Sequence, residues 1–264
     1  MLPDKLVPDK VMNEVMSTLG ARTSRSWLAA AAMLSLLAGA SLAARMPAKA
    51  SSPNVPAVRA AGAPVSAASA TAWSNVGIGS INPQVLDLAV RAAGCAVRSG
   101  DVGDPATLTV IDYSVPSTDE RLWVFDLQTR ALLHEELVAH GQGSGGNVPN
   151  AFSNQDESHQ SSLGLFVTKD TYVGKNGYSL RLDGLDDGFN DRALQRAIVM
   201  HGAPYVSGTF ARAQGRLGRS WGCPALREGI ARKVIDRVKG GSLLFAYYPD
   251  KKWLNASKYL GDCN

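Results

Sequence analysis

The sequence is poor in cysteine, in clustered charge and in nucleotide-binding motifs. Its 264 residues contain three cysteines, too few for a disulfide scaffold or a cysteine-rich zinc site. Basic residues outnumber acidic ones by only 27 to 23, and no run of five or six like charges occurs, so we predict no nucleic-acid partner. Neither a glycine-rich phosphate loop nor a dinucleotide-binding fingerprint is present, which argues against nucleotide chemistry.

Metal-ligand spacing is missing as well. His134, His140 and His159 fall in no H-E-x-x-H pattern and in no comparable ligand spacing. We therefore predict that the protein uses neither a metal nor a cofactor. Hydrophobic residues, by contrast, make up 45% of the sequence and charged residues 19%, which excludes a wholly disordered chain.

Residues 27–44 carry no charge and follow two arginines. The apolar part, residues 27–37, has the length of a signal-peptide hydrophobic region, and Ser41 and Ala43 give the small-x-small pattern of a cleavage site. At 18 residues the whole stretch also reaches the lower limit for a membrane span, so an uncleaved anchor that tethers the chain to a membrane is the alternative. We predict a signal segment over residues 1–44 and export of the rest to the periplasm or cell envelope of a bacterium.

Residues 45–77 are rich in alanine, proline and serine and show no apolar periodicity, which is typical of a linker. The folded domain is therefore expected over residues 78–264. Near its start, Asn82 and Pro83 predict the beginning of a helix, and Gly94 predicts its end.

Short strands are predicted for most of the domain. A second helix is expected where Ile230, Val234 and Val238 recur every four residues, just before two glycines. The strand-like segments, with a turn at residues 128–130, are 108–114, 121–127, 131–141, 163–168, 178–182, 197–201 and 242–248. Many short strands with glycine-rich turns predict a mainly β fold, a β-sandwich or barrel-like core with a few peripheral α-helices.

The residues that could carry out catalysis lie between His201 and Cys223. A thiolate is the reactive form of cysteine, and a neighbouring imidazole can take the thiol proton. Gly222 would let a substrate carbonyl approach the backbone, where the amides of Gly222 and Cys223 can bind an oxyanion. This pattern fits a Cys–His nucleophilic pair. It also fits a buried, inert cysteine and a histidine with a purely structural hydrogen bond.

A longer set of motifs resembles a known family. His201-Gly202, followed by Ser220, Gly222 and Cys223, resembles the catalytic motif of the murein L,D-transpeptidases, the YkuD-like family. Further segments over about residues 108–248 are similar to one branch of that family: Phe152-Ser153-Asn154, Ser161-Ser162-Leu163-Gly164, Tyr172-Val173-Gly174-Lys175, Ser179-Leu180-Arg181-Leu182-Asp183-Gly184-Leu185 and Gly218-Arg219-Ser220-x-Gly222-Cys223-Pro224-Ala225.

The resemblance implies a mostly β catalytic domain that cross-links peptidoglycan through a thioester. By this analogy Cys223 attacks the carbonyl at the L-centre of diaminopimelate in a donor stem peptide, and the terminal D-alanine leaves. His201 activates the thiol and then protonates the leaving amine. Peptidoglycan stem peptides are therefore the expected partners. Water in place of the acceptor amine would make an L,D-carboxypeptidase, and an inert site would leave a peptidoglycan-binding domain.

The sequence departs from the family pattern in three ways. Trp221 stands where the common motif carries a second histidine, and Pro224 follows the nucleophile directly. The step of 22 residues from His201 to Cys223 is slightly longer than usual, which predicts a longer loop between them. Because Trp221 does not titrate, any base role falls wholly to His201.

We predict four substrate-binding residues: Arg219, Tyr205, Ser220 and Trp221. A guanidinium binds carboxylates in a bidentate manner, so Arg219 is assigned to a stem-peptide carboxylate, with a solvated surface arginine as the alternative. Tyr205 either lines the pocket or lies at the edge of the core. Ser162 is expected to make structural hydrogen bonds rather than to orient His201.

The two remaining cysteines, Cys95 and Cys263, lie near the two ends of the predicted domain. In an oxidising compartment they can pair and leave Cys223 as the free thiol. Two unpaired thiols are the alternative, and a separation of more than about 7 Å between the α-carbons would exclude the bond.

Overall fold

The computed structural model describes Trp73, residues 77–261 and Cys263. The chain divides into two compact units, and all the described residues belong to the unit 58–264. The signal segment over residues 1–44 and nearly all of the linker lie outside the described residues, so both stay predictions. Within the described part of the chain, no helix is long and apolar enough to cross a membrane.

The first helix, α1 (Pro83–Arg98), begins where the sequence predicts and ends later. The Asn82 side chain accepts a hydrogen bond from the Gln84 N–H at 2.9 Å, and Pro83 occupies the first turn. The predicted end at Gly94 is wrong. Gly94 is buried among alanines that pack on the sheet, and Gly100, with a φ of 76°, ends the helix instead.

Three further helices and nine strands complete the described domain. The helices are α2 (Gly208–Gln214), α3 (Glu228–Val238) and α4 (Lys251–Ala256). The strands are β1 (Thr107–Asp112), β2 (Leu122–Asp126), β3 (Leu132–Glu136), β4 (Val138–Ala139), β5 (Gly164–Gly174), β6 (Gly177–Gly184), β7 (Val199–Gly202), β8 (Ala225–Leu226) and β9 (Leu243–Tyr247). Every predicted strand overlaps an observed one, and the predicted helix before the two glycines is α3.

The strands form one sheet in the order β3-β2-β1-β9-β5-β6-β7-β8-β4. The two outermost strands, β3 and β4, are separated in the chain by Leu137 alone. The chain therefore passes directly from one edge of the sheet to the other, and the sheet curls into a near-barrel. This confirms the mainly β, barrel-like fold. The single strand predicted over residues 131–141 is wrong, because its two halves pair with β2 and β8.

The core lies between the sheet and the helices that cover it. The fully buried Leu108, Phe125 and Phe245 come from β1, β2 and β9, and Trp253 comes from α4. Cys95, at the buried end of α1, forms a disulfide with Cys263, and their α-carbons lie 5.6 Å apart. Of the two alternatives for these cysteines, the structure shows the pair, and Cys223 is free.

Candidate active site

Cys223 lies in the turn that leads into β8, and it is buried. Its sulfur faces the segment that enters β7: the Val199 N–H donates to Sγ at 3.4 Å, and the Ala197 carbonyl oxygen lies 3.9 Å from Sγ. Burial raises the pKa of the Cys223 thiol, while the Val199 N–H and the positive charge of Arg196 oppose the shift. At neutral pH the sulfur therefore holds its proton and needs a base to become a nucleophile.

His201 lies on β7, which pairs in parallel with β8 so that His201 faces Ala225, two residues beyond Cys223. Its Nδ1 lies 2.9 Å from the Gly202 carbonyl oxygen. Because a carbonyl oxygen only accepts, Nδ1 carries the hydrogen and the neutral ring keeps its lone pair on Nε2. Burial lowers the pKa of His201 below its ordinary value of 6.5, and the bond to Gly202 opposes this. At neutral pH the ring is thus in the form of a general base.

Gly222 is required by the shape of the turn before the nucleophile. Its φ is 115°, and a Cβ at this position would lie 2.7 Å from the Gln160 carbonyl oxygen. The Gly222 N–H donates to Ser220 Oγ at 3.1 Å, so the prediction that this amide faces an oxyanion is not supported. The Cys223 N–H makes no hydrogen bond to another described residue and stays the candidate oxyanion donor.

Ser220 holds this turn together. It is buried, and its hydroxyl donates to the Cys223 carbonyl oxygen at 2.6 Å while accepting from Gly222. Its backbone bridges to Gly141, with the Ser220 N–H donating to the His140 carbonyl at 2.9 Å. Its hydroxyl thus fixes the conformation of the turn before Cys223, and the assignment of Ser220 to substrate binding stays a prediction.

Trp221 is 68% exposed, although it directly precedes the buried turn. One face of its indole stacks on His159, with ring centroids 4.9 Å apart and an interplanar angle of 11°. His159 Nδ1 lies 3.0 Å from the Gln142 side-chain nitrogen. Sequence spacing could not identify His159 here, because it lies far upstream and only the tertiary fold brings it to Trp221.

Two of the predicted substrate-binding residues line one groove. Tyr205 and Arg219 enclose, with Gln142, Phe210, Arg216 and Gly218, an open groove of about 280 Å³. Burial, with a smaller contribution from the negative charge of the Cys223 thiolate, raises the pKa of Tyr205 to about 12, so its hydroxyl stays a hydrogen-bond donor. Arg219 donates to the Gly145 carbonyl at 2.7 Å, which fixes its guanidinium at the groove wall.

A buried polar layer supports the site from the sheet side. Ser161 Oγ accepts from the Gly141 N–H at 3.0 Å and donates to the Gly222 carbonyl at 3.2 Å. Burial raises the pKa of Tyr113, while the Ser161 side chain and the charge of Arg121 oppose the shift, so Tyr113 is neutral. Ser162 donates to the Ser153 carbonyl at 2.8 Å and so has the structural role expected of it.

Arg121 lies deeper in the same layer and is fully buried. Its Nη2 lies 2.8 Å from both the Val138 carbonyl oxygen and His140 Nδ1. Burial and the positive charge of Arg121 lower the pKa of His140 to about 3, so this imidazole is neutral and cannot act as an acid–base group at physiological pH. His140 is therefore structural. Among the described residues no group of three or more potential metal ligands occurs.

The described residues thus place a buried, protonated thiol beside the strand that carries a neutral imidazole, and the Cys223 N–H bonds to no other described residue. A sequence model of the L,D-transpeptidase catalytic domain matches residues 78–247, well over half of the chain. The chain belongs to this family. The resemblance expected from the motifs is confirmed, and the match begins earlier than those motifs and includes α1.

Solved structures of this family give a distant likeness. An L,D-transpeptidase from Mycobacterium smegmatis is 15% identical over 54% of this chain and 59% of its own, with a TM-score of 0.35. L,D-transpeptidase 3 from Mycobacterium tuberculosis, with a faropenem-derived adduct, is 13% identical over 55% and 61%, with a TM-score of 0.36. The helical cell shape determining protein of Campylobacter jejuni is 12% identical over 61% and 55%, with a TM-score of 0.38. The match therefore spans less than two thirds of each of these structures. Curated protein sequences give no match.

Proposed function

We propose that this protein is an exported cysteine L,D-transpeptidase that forms a thioester with peptidoglycan stem peptides and transfers the acyl group to an amine. The observation that carries the proposal is the state of His201. Its Nδ1 is held by the Gly202 carbonyl, and its lone pair is available on Nε2 on the strand beside Cys223.

In the first half-reaction His201 Nε2 takes the Cys223 proton, and Sγ attacks the carbonyl at the L-centre of diaminopimelate. The carbon–sulfur bond forms, and the oxyanion of the tetrahedral intermediate accepts a hydrogen bond from the Cys223 N–H. The intermediate collapses as the amide carbon–nitrogen bond breaks. His201 then returns its proton to the leaving amine of the terminal D-alanine.

In the second half-reaction an acceptor amine attacks the thioester and gives its proton to His201. The carbon–sulfur bond breaks, the new amide forms, and the proton passes from His201 to the Cys223 sulfur. Attack by water instead of the amine follows the same steps and releases a free carboxylate, which is the hydrolase alternative.

The groove beside the nucleophile supports a peptide substrate that carries carboxylates. Arg216 and Arg219 place two guanidinium groups at its wall, and each can form charge-assisted hydrogen bonds to a carboxylate. Tyr205 adds a neutral hydroxyl to the lining of the groove, and its pKa responds to the charge of Cys223. Trp221 does not line this groove, so we assign its free indole face to a neighbouring part of the substrate.

Export is part of the proposal and is supported by the disulfide. Disulfides form and persist in oxidising compartments, and the Cys95–Cys263 bond spans 168 residues of the chain. An exported bacterial protein shares the periplasm or cell envelope with peptidoglycan. The signal segment over residues 1–44 is the proposed means of export.

The test is intact-mass spectrometry of the purified full-length chain incubated with a murein tetrapeptide, beside Cys223→Ala. We expect a mass increase equal to the tripeptide acyl group in the wild type and none in the variant. An added acceptor amine then separates transfer from hydrolysis by the product formed. Absence of adduct and product from folded protein with a free thiol would contradict the proposal and favour a peptidoglycan-binding domain.

A further inference from the structure

Arg196 lies in the turn before β7 and is half-buried beside the nucleophile. Its guanidinium donates four hydrogen bonds, and all four acceptors are neutral oxygens. Nη1 bonds to the Ser153 carbonyl at 2.8 Å and to Ser162 Oγ at 2.6 Å. Nη2 bonds to the Gln160 carbonyl at 2.9 Å and to Ser158 Oγ at 3.2 Å. The side chain is therefore fixed in place while its charge is not neutralised by direct contact with a carboxylate.

The nearby acidic group is engaged elsewhere. Asp156 forms an ion pair with Arg192 at 2.7 Å and acts on Arg196 only over a longer distance. Within the described part of the chain, no carboxylate is in direct contact with the Arg196 guanidinium, although Asp156 acts on it from a distance along with Cys223.

The groups beside Arg196 are the turn and the sulfur of the nucleophile. A Cβ on Gly222 would lie 3.5 Å from Arg196 Nη2, so the guanidinium packs against the backbone that precedes Cys223. The residues that follow Arg196 lie around the sulfur. The backbones of Ala197 and Val199 contact Sγ, and Ala197 has a left-handed φ of 54°. Arg196 and the contacts to the sulfur thus belong to one short, rigid segment.

The other titratable groups near Cys223 are uncharged in the resting protein. Tyr113 and Tyr205 are neutral because burial raises the pKa of each, and His201 is neutral because burial lowers its pKa. His201 becomes positive only when it takes the thiol proton. Among the described residues Arg196 is the one permanently charged side chain that acts on the Cys223 thiol.

We propose that Arg196 is the fixed cation that stabilises the thiolate of Cys223. Arg196 acts on the Cys223 sulfur and does not contact the substrate, so it is a positioning residue and not a catalytic one. An opposite charge favours the ionised form of its neighbour, most strongly where both are shielded from water. In this chain, where Trp221 replaces the motif's second histidine, the arginine reaches the nucleophile from a different segment of the fold. The inference concerns the nucleophile that the proposed function uses, but it does not depend on the identity of the substrate.

The test is the pH dependence of Cys223 alkylation by iodoacetamide in the full-length protein. Cys223 is the free cysteine, and Cys223→Ala gives the background rate. We expect Arg196→Gln to move the alkylation profile upward by about one pH unit, which is roughly a tenfold loss of rate near pH 7. Arg196→Lys keeps the charge and is expected to retain most of the wild-type profile.

Two controls separate charge from anchoring. Arg192→Gln removes a positive charge four residues away and is expected to leave the profile unchanged, since Arg192 pairs with Asp156. Ser162→Ala removes a hydrogen-bond acceptor of Arg196 but leaves the charge of Arg196 in place. We expect this variant also to keep the wild-type alkylation profile. An unshifted profile in Arg196→Gln would overturn the proposal. A shift in Arg196→Lys and in Ser162→Ala as large as that in Arg196→Gln would also overturn it. Because iodoacetamide needs no peptidoglycan, these results are independent of the murein acylation test.

Discussion

Each reactive residue of the site is held by contacts that fix its position and its protonation state. The Gly202 carbonyl selects the tautomer of His201, and burial keeps the ring neutral. Burial also keeps the Cys223 thiol protonated. Both side chains are therefore uncharged at rest, and in the proposed reaction the ion pair forms only when the proton moves during attack.

The glycine before the nucleophile gives a sharp prediction at this scale. Gly222→Ala places a Cβ 2.7 Å from the Gln160 carbonyl oxygen in a backbone with φ at 115°. We expect a loss of roughly 1–3 kcal/mol in the free energy of unfolding and a strong loss of Cys223 acylation. Urea denaturation and intact-mass spectrometry measure the two effects.

Gly229→Ala is the matched control for that substitution. Gly229 lies in α3, and a Cβ there would have no atom within 4 Å. We expect this variant to be as stable as the wild type or more stable, because alanine favours a helix over glycine by about 0.5–1 kcal/mol. Equal stability of the two variants would contradict the close approach at Gly222.

At the scale of elements, one ion pair lies where the sheet closes. Glu136, the last residue of β3, is buried, and Arg227, which follows β8, donates to its Oε2 from Nε at 3.0 Å and from Nη2 at 2.6 Å. The pair joins the end of β3 to the neighbour of β4, where the chain crosses between the sheet edges.

Arg227→Ala leaves the buried carboxylate of Glu136 without its cation. We expect the free energy of unfolding to fall by roughly 1.5–3 kcal/mol, the range for hydrogen bonds to charged groups. Arg91→Ala removes an exposed pair with Asp87 on α1, and we expect it to cost less than about 1 kcal/mol. Urea denaturation of the two variants checks the difference, and equal losses would count against a special role for the Arg227 pair.

The elements show which features local sequence can predict. The start of α1 depends on Asn82 and Pro83, which are adjacent, and the sequence identifies it. The end of α1 is not identified from sequence, because Gly94 stays helical through its packing on the sheet. The break at Leu137 depends on the pairing of β4 with β8, almost 90 residues later. The helices α2 and α4 are short and lack apolar periodicity, so only their capping residues, Ser207 and Asp250, signal them.

The same distinction applies to the site. His201 and Cys223 are identified from sequence because family motifs mark both. Arg196 and His159 are not, because each meets the nucleophile's turn through tertiary contacts that no spacing rule describes. The structural contacts of Ser220 are missed for a related reason: its place in the motif does not reveal that its hydroxyl bonds to the Cys223 carbonyl.

For the whole molecule, the Cys95–Cys263 disulfide links α1 to the far end of the described chain. A disulfide that closes such a long loop removes much of the conformational entropy of the unfolded chain. We expect Cys95→Ser to lower the free energy of unfolding by roughly 2–5 kcal/mol. Urea denaturation of the variant, and of the wild type with and without reductant, measures this loss.

Cys223 alkylation at fixed pH, resolved from that of the released Cys263 thiol by peptide mass spectrometry, is the control for the disulfide prediction. The disulfide lies at α1, whereas the nucleophile lies between β7 and β8, so the folded variant is expected to react at the wild-type rate. An unchanged stability of Cys95→Ser would contradict the predicted role of the bond.

The passage of the chain from β3 to β4 also affects how the protein behaves in a crowded solution. An outer strand with unpaired backbone groups is a template on which another polypeptide can add, and such addition seeds aggregates. Here one outer strand, β4, is two residues long, and on the other, β3, the carboxylates of Glu135 and Glu136 are bonded to Ser80 and Arg227. A short border and a border bonded to other parts of the chain offer little for another polypeptide to extend. We therefore expect the route that closes the sheet also to limit self-assembly.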